Sequence, residues 1–130
     1  MTQSQAGPPG EPSGPDRRRY PRFDATGRVV GTLLTIDLPV RIRDIGFGGF
    51  AIETVDPVTP GQVHQVRLTT VDDRSVIVEA KTLHCRPSCA PDGSPRYVTG
   101  LAFTSAESPE TQRAVGRIIE SVTSLQIHDA

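Results

Sequence analysis

Leu38-Pro39-Val40-Arg41-Ile42-Arg43-Asp44-Ile45-Gly46-Phe47-Gly48-Gly49-Phe50-Ala51-Ile52-Glu53 is the stretch whose reading decides the fold class of this chain. Val40, Ile42 and Asp44 alternate with Arg41, Arg43 and Ile45, which is the period of a half-buried strand. Gly46, Gly48 and Gly49 interrupt the ladder and predict a turn or bulge before Phe50 and Ile52 resume inward alternation.

The same grammar extends in both directions. Residues 28 to 37, rich in branched side chains, read as a preceding strand region. Downstream, Pro57, Pro60 and Gly61 mark a loop, and Val63, Val66 and Leu68 begin another strand. Val71-Asp72-Asp73-Arg74-Ser75 predicts a hairpin turn, and Val76, Val78 and Ala80 alternate in the return strand. Residues 86 to 96 read as a loop before a final strand at about 97 to 104. Strands in such quick succession, with no helix-length segment between them, suit an antiparallel barrel better than a doubly wound sheet.

One helix closes the chain, predicted over about 109–126. Ser108 is suited to the N-cap and Pro109 to the first helical position, where no amide is missed. Val115, Ile118, Ile119, Val122 and Leu125 recur at helical spacing, so one face is apolar and should pack on the barrel or across its mouth. An unused part of that face would offer a homodimer surface. With four Phe, two Tyr and no Trp, the core must be mainly aliphatic.

Composition narrows the function classes. The 130 residues are close to the common domain size of about 100–150. Residues 1–16 are rich in Pro, Gly, Ser and Gln without apolar periodicity and read as a disordered N-terminal arm, with the folded domain at 17–126. A net charge of −1 argues against a broad nucleic-acid-binding face, and the aromatics are too few for a single-strand stacking groove. No apolar run approaches the roughly 20 residues of a spanning helix and no secretory signal opens the chain, so no membrane insertion and a cytoplasmic location are expected. Cys85, Cys89 and His84 fall short of the four ligands of a structural zinc, so no metal is expected and the cysteines read as reduced thiols. No nucleophile elbow or phosphate loop is present, and Lys81 is the only lysine, so an enzyme is not expected. His64 and His84 read as strand residues without catalytic duty.

The positive charge is concentrated at Arg17-Arg18-Arg19-Tyr20-Pro21-Arg22. Guanidinium groups there offer paired donors that match phosphate oxygens or a guanine edge, and Asp44 downstream can accept from amine donors. Arg18-x-x-x-Arg22, with Arg17 before it, resembles the RxxxR motif of the PilZ family. Asp44-Ile45-Gly46-Phe47-Gly48-Gly49 is similar to that family's second motif, [D/N]-x-S-x-x-G, and Val98-Thr99-Gly100-Leu101-Ala102-Phe103 resembles a late family strand. The resemblance runs over roughly residues 17 to 126.

That resemblance implies a six-stranded antiparallel β-barrel with a C-terminal α-helix, and a receptor for the bacterial second messenger cyclic di-GMP that needs no cofactor. It implies that the arm folds over the ligand, with Arg17, Arg18 and Arg22 on phosphates and guanine edges, Asp44 on a guanine amine, and Gly46 to Gly49 lending backbone amides and space. Ordering the arm would signal to a downstream effector protein. A PilZ-like domain that has lost the ligand and acts through protein contacts is the alternative. One position departs from the motif, where Gly46 stands for Ser. Restoring that hydroxyl by Gly46→Ser is expected to return a hydrogen bond worth about 0.5–1.5 kcal/mol and so to tighten binding.

Overall fold

A computed structural model describes residues 20–129, and the side chains up to residue 124. Arg17, Arg18, the arm at 1–16 and the Leu125 side chain lie outside what is described. Seven strands and one helix follow in order: β1 (Phe23–Asp24), β2 (Val29–Leu33), β3 (Leu38–Ile45), β4 (Gly49–Thr54), β5 (Val63–Thr70), β6 (Ser75–Cys89), β7 (Pro95–Phe103) and α1 (Pro109–Asp129). All pairings are antiparallel. The order β3-β2-β5-β6-β7-β4 returns to β3 and closes a six-stranded barrel, as expected, while β1 lies outside the ring and pairs with the end of β3.

Closure follows from period-two alternation, which places every second residue inside. Leu33, Ile42, Ile52, Val66, Leu68 and Leu101 are almost fully buried, and the Phe50 and Phe103 rings meet with centroids 5.4 Å apart. α1 covers this core with Val115, Ile118, Ile119 and Val122, all buried against its own barrel. Those four side chains are therefore occupied by the barrel. Ser108 Oγ accepts from the Thr111 N–H at 3.1 Å, the N-cap contact expected at this end.

Three local expectations are corrected, and β5 shows which of its residues turn inward. Residues 28 to 37 are not continuous strand, because Leu34–Asp37 turns back on itself, with Asp37 in the left-handed region at φ 53°. In β3 the register slips between Ile42 and Asp44, so Ile45 faces the core and Asp44 does not; an extra residue at Arg43 shifts the parity of all that follows. In β5 the inward residues are His64, Val66, Leu68 and Thr70, while Val63 is exposed. His64 enters the core by parity, opposite the small Ala80. Finally, β6 runs on to Cys89 and β7 begins at Pro95, leaving only 90–94 as the turn. Pro87 is tolerated because β6 beyond Lys81 has lost β5 as a neighbour, so one of its edges needs no donor.

A polar latch fastens α1 to the β5–β6 turn. Asp72 accepts from the hydroxyls of Ser121 and Thr70, and Arg74 reaches Glu120 at 2.8 Å. Hydrogen bonds from Ser121 first, then Thr70, hold the Asp72 carboxyl below the usual carboxylate value. A depressed folded value stabilises the fold above the unfolded value near 3.9 and is lost as pH falls through the lower folded value. Asp72→Asn should therefore melt below the parent protein at neutral pH, with the gap closing as the pH drops below about 4. Thermal melts across that range check this; a constant gap would mean that the latch does not depend on the carboxylate's charge. Separately, Ile118→Ala should lower stability by about 2–5 kcal/mol in denaturant titration, because it empties a fully buried site.

Candidate ligand-binding site

The short β1–β3 ladder builds the first half of the site. Asp24 stands opposite Asp44, so Arg22, two residues away on the same face, lies on the diagonal that a long side chain can span. Its Nη1 donates to Asp44 Oδ1, an ion pair between groups 22 residues apart in sequence. The two side chains are 28% and 37% exposed, and pairs at that exposure contribute at most about 1 kcal/mol. The contact positions the arm without locking it. The bulge at Arg43 makes the pair possible, since it turns Asp44 away from the core that parity would have assigned it.

The rest of the site is a row of residues across four strands. Asp44 on β3 pairs with Ala51 on β4, Ala51 with Gly100 on β7, and Gly100 with His84 on β6. Two of the smallest residues thus form a shallow floor between Asp44 at one end and His84 at the other. A cavity of about 220 Å³ lies here, lined by Arg22, Arg43, Asp44, Ala51, His84, Arg86, Val98 and Gly100 among others. It is smaller than the roughly 300–1,000 Å³ of an enclosed small-molecule pocket, so a dinucleotide would lie across open sheet. A larger groove of about 1090 Å³, bounded by Arg41, Glu53 and Arg96, shares Arg43 with it but contains neither Arg22 nor Asp44. The chemistry favours the smaller site, where both sequence motifs meet.

Of the residues singled out in the sequence, Arg22 and Asp44 are brought together, whereas Arg17 and Arg18 fall outside the described residues. Gly46 and Gly49 lie buried beneath the site and work through the space they leave. A Cβ on Gly49 would sit 2.1 Å from the Leu101 carbonyl oxygen, so only glycine lets β4 approach β7 this closely. A Cβ on Gly46 would sit 2.5 Å from the Pro21 carbonyl oxygen, and its amide already donates to the Gly49 carbonyl at 2.9 Å. Gly46 is thus the seat of the arm backbone, which reverses the expectation that a serine would improve the site. Arg43, His84 and Arg86 were missed, because only the β6–β7 and β3–β4 registers bring them to the same cavity. The one signal in the sequence is that His84 and Arg86 share a parity on an exposed strand.

Tyr20 and Phe47 complete the picture. The Tyr20 ring covers Gly48 and meets Phe47 at 6.2 Å, and Phe47 in turn lies against Gly116 of α1. The arm, the β3–β4 loop and the helix are in contact through one phenyl ring.

The sequence profile of the PilZ domain matches residues 16–121. The chain belongs to the PilZ domain family. Its fold is similar to that of the PilZ domain of YcgR from Escherichia coli, solved with c-di-GMP, with a TM-score of 0.70 at 20% identity over 87% of this chain and 96% of that one. It is also similar to MrkH of K. pneumonia in its c-di-GMP complex, with a TM-score of 0.67 at 17% identity over 88% of this chain and 56% of that one. The Bacillus subtilis inhibitor of motility MotI/DgrA has a TM-score of 0.56 at 20% identity, over 80% of this chain and 50% of its own. The chain thus spans about half the length of MrkH and MotI/DgrA, and at these identities the likeness is one of fold. No curated protein sequence matches the chain. Among the described residues, no helix is long and apolar enough to cross a membrane.

Two substitutions test the glycine geometry. Gly49→Ala should cost at least about 1–3 kcal/mol of stability, since its Cβ meets backbone on a neighbouring strand. Gly46→Ser should lower the melting temperature less than Gly49→Ala does, and should displace Pro21 and Arg22 from the loop, weakening ligand binding. Tighter binding by the serine variant would show that the arm can move aside without cost.

Proposed function

We propose that this protein is a receptor for cyclic di-GMP that closes its N-terminal arginine arm against the outer face of the barrel and presents the result to a partner protein. The observation that carries this reading is the meeting of Arg22 and Asp44 on one patch of sheet, because it joins two motifs that are distant in sequence at a surface edged by further cations. The PilZ domain of YcgR and MrkH, which have the same fold, were solved with this nucleotide.

Each group has a role that its chemistry suits. Arg22, with Arg17 and Arg18 preceding it, supplies charge-assisted donors to phosphate oxygens and to the O6/N7 edge of guanine. Asp44 accepts from a guanine amine while its second oxygen keeps the arm in place. Ala51 and Gly100 keep the floor low enough for the ligand to lie flat, while Gly46 seats the arm backbone and Gly49 lets β4 close on β7. Binding is the whole of the event, with no bond made or broken. Ordering the arm over the ligand carries an entropic cost, and the ordered segment becomes a new surface for the effector. The contact of Tyr20 with Phe47, and of Phe47 with Gly116, offers a path by which the arm's position reaches α1.

Isothermal titration with cyclic di-GMP, with GMP and cyclic di-AMP as controls, tests the proposal. Saturable binding of the cyclic guanine dinucleotide alone is expected. Arg18→Ala or Arg22→Ala should each weaken it by at least about 2 kcal/mol, roughly 30-fold, with thermal unfolding almost unchanged. Absence of binding by the parent protein would leave a PilZ domain that works through protein contacts.

A further inference from the structure

We infer that the free edge of β6, from Leu83 to Cys89, docks an extended segment of a partner protein that alternates acidic with apolar side chains; this goes beyond the nucleotide reading and does not depend on it. β6 pairs with β5 only as far as Lys81, whereas β7 accompanies it to Cys89. Thr82 is the last residue held on the β5 side, where its N–H donates to the Gln62 carbonyl and its carbonyl accepts from the Gly61 N–H, both at 2.8 Å. Beyond it Leu83 to Cys89 are exposed, apart from half-buried Cys85. Among the described residues, no hydrogen bond reaches the far side of this segment.

The turn at its end fixes which backbone groups face outward. Ala90 donates its N–H to the Ser94 carbonyl at 2.9 Å, so that amide points at β7, and the register from Cys89–Pro95 back to His84–Gly100 runs without a slip. Backbone groups alternate sides along a strand, so His84, Arg86 and Ser88 bond to β7 while Cys85, Pro87 and Cys89 turn theirs away from it. The edge thus offers amide donors at Cys85 and Cys89 and carbonyl acceptors at Cys85, Pro87 and Cys89. Pro87, which has no donor, sits where β7 asks for none. It also decides between a second copy of this chain and a foreign strand. Antiparallel self-pairing is two-fold, so the missing donor is lost twice along so short an edge, whereas a foreign strand loses it once.

The side chains define the strand that fits. His84, Arg86 and Ser88 stand on the outer face. Among the described residues Arg86 has no carboxylate in ion-pair range, while Arg96, opposite Ser88, already lies beside Glu53 at 3.9 Å. Cys85, Pro87 and Cys89 carry the other face, with uncharged Thr99, Tyr97 and Pro95 opposite them. A strand added along this edge continues both faces, so its alternate residues meet a cation on one side and uncharged groups on the other. Acidic side chains suit the first set of positions and apolar ones the second.

Amide hydrogen exchange on the nucleotide-free protein tests this, with two capped peptides of about eight residues, enough to span the edge, as probes. One alternates valine with glutamate, the other valine with lysine. The glutamate peptide should slow exchange at Cys85 and Cys89, with Arg86 and Ser88, already bonded to β7, unchanged. It should bind roughly 5-fold more tightly than the lysine peptide, and Arg86→Glu should reverse that preference. Cys89→Pro, which deletes an edge donor without touching the β7 ladder, should weaken the glutamate peptide by a similar factor. Equal binding of the two peptides, or unchanged exchange at Cys85 and Cys89, would overturn the proposal. So would slowed exchange at both amides in the protein alone, growing with its concentration, which would assign the edge to a second copy. Each of these failures leaves the outcome of the cyclic di-GMP titration unaffected.

Discussion

The close approach of the β3–β4 loop to β7 is the constraint on which the rest of the molecule depends. β4 must fit between β3 and β7 for the ring of six strands to close, and at Gly49 the backbones are so near that a methyl group would overlap the Leu101 carbonyl. The Phe103 N–H donates to the Gly48 carbonyl at 3.0 Å and ties the loop down at the same place. A barrel closed in this way leaves no free edge within the ring, so its unpaired backbone is confined to the β6–β7 extension and to β1. The same loop seats the carbonyl of Pro21 over Gly46 and the Tyr20 ring over Gly48, and sends Phe47 to the helix. Barrel closure, arm placement and helix contact all use the four residues Gly46 to Gly49 at the β3–β4 junction.

This arrangement explains why the candidate site lies on a surface and not in a pocket. The barrel interior is filled by aliphatic side chains, two phenylalanines and His64, leaving no room inside for a ligand. What remains is the outer face of β3, β4, β7 and β6, made shallow by Ala51 and Gly100. A ligand on such a surface would depend mainly on charge-assisted contacts. Arg22 is held near Asp44 by a partly exposed pair worth little by itself, so the contact places the arm without fixing it.

Much of the fold was legible in the residues, and the failures have a common origin. Alternation in Val40 to Ile42, in Phe50 to Ile52 and in Val76 to Ala80 marks strands because period two is a local property. Ser108, Pro109 and the Val115–Val122 stripe mark the helix for the same reason. The error at Asp44 was one of parity. A bulge at Arg43 is one extra residue that no local pattern announces, yet it reverses the face of all that follows it. The glycines of the second motif were legible as a motif, but their reason was not, since the atoms that forbid a side chain at Gly46 and Gly49 belong to Pro21 and Leu101.

By itself the sequence determined an antiparallel barrel of short strands with one covering helix, an arginine-rich arm and the aspartate that answers it, because each of these is written in neighbouring residues. Only the tertiary structure decided that Arg22 reaches Asp44, that Gly46 makes room for the arm, and that His84 and Arg86 stand at the far end of the same row. Those facts depend on which strands are neighbours and in what register, and register is set by closure of the whole sheet.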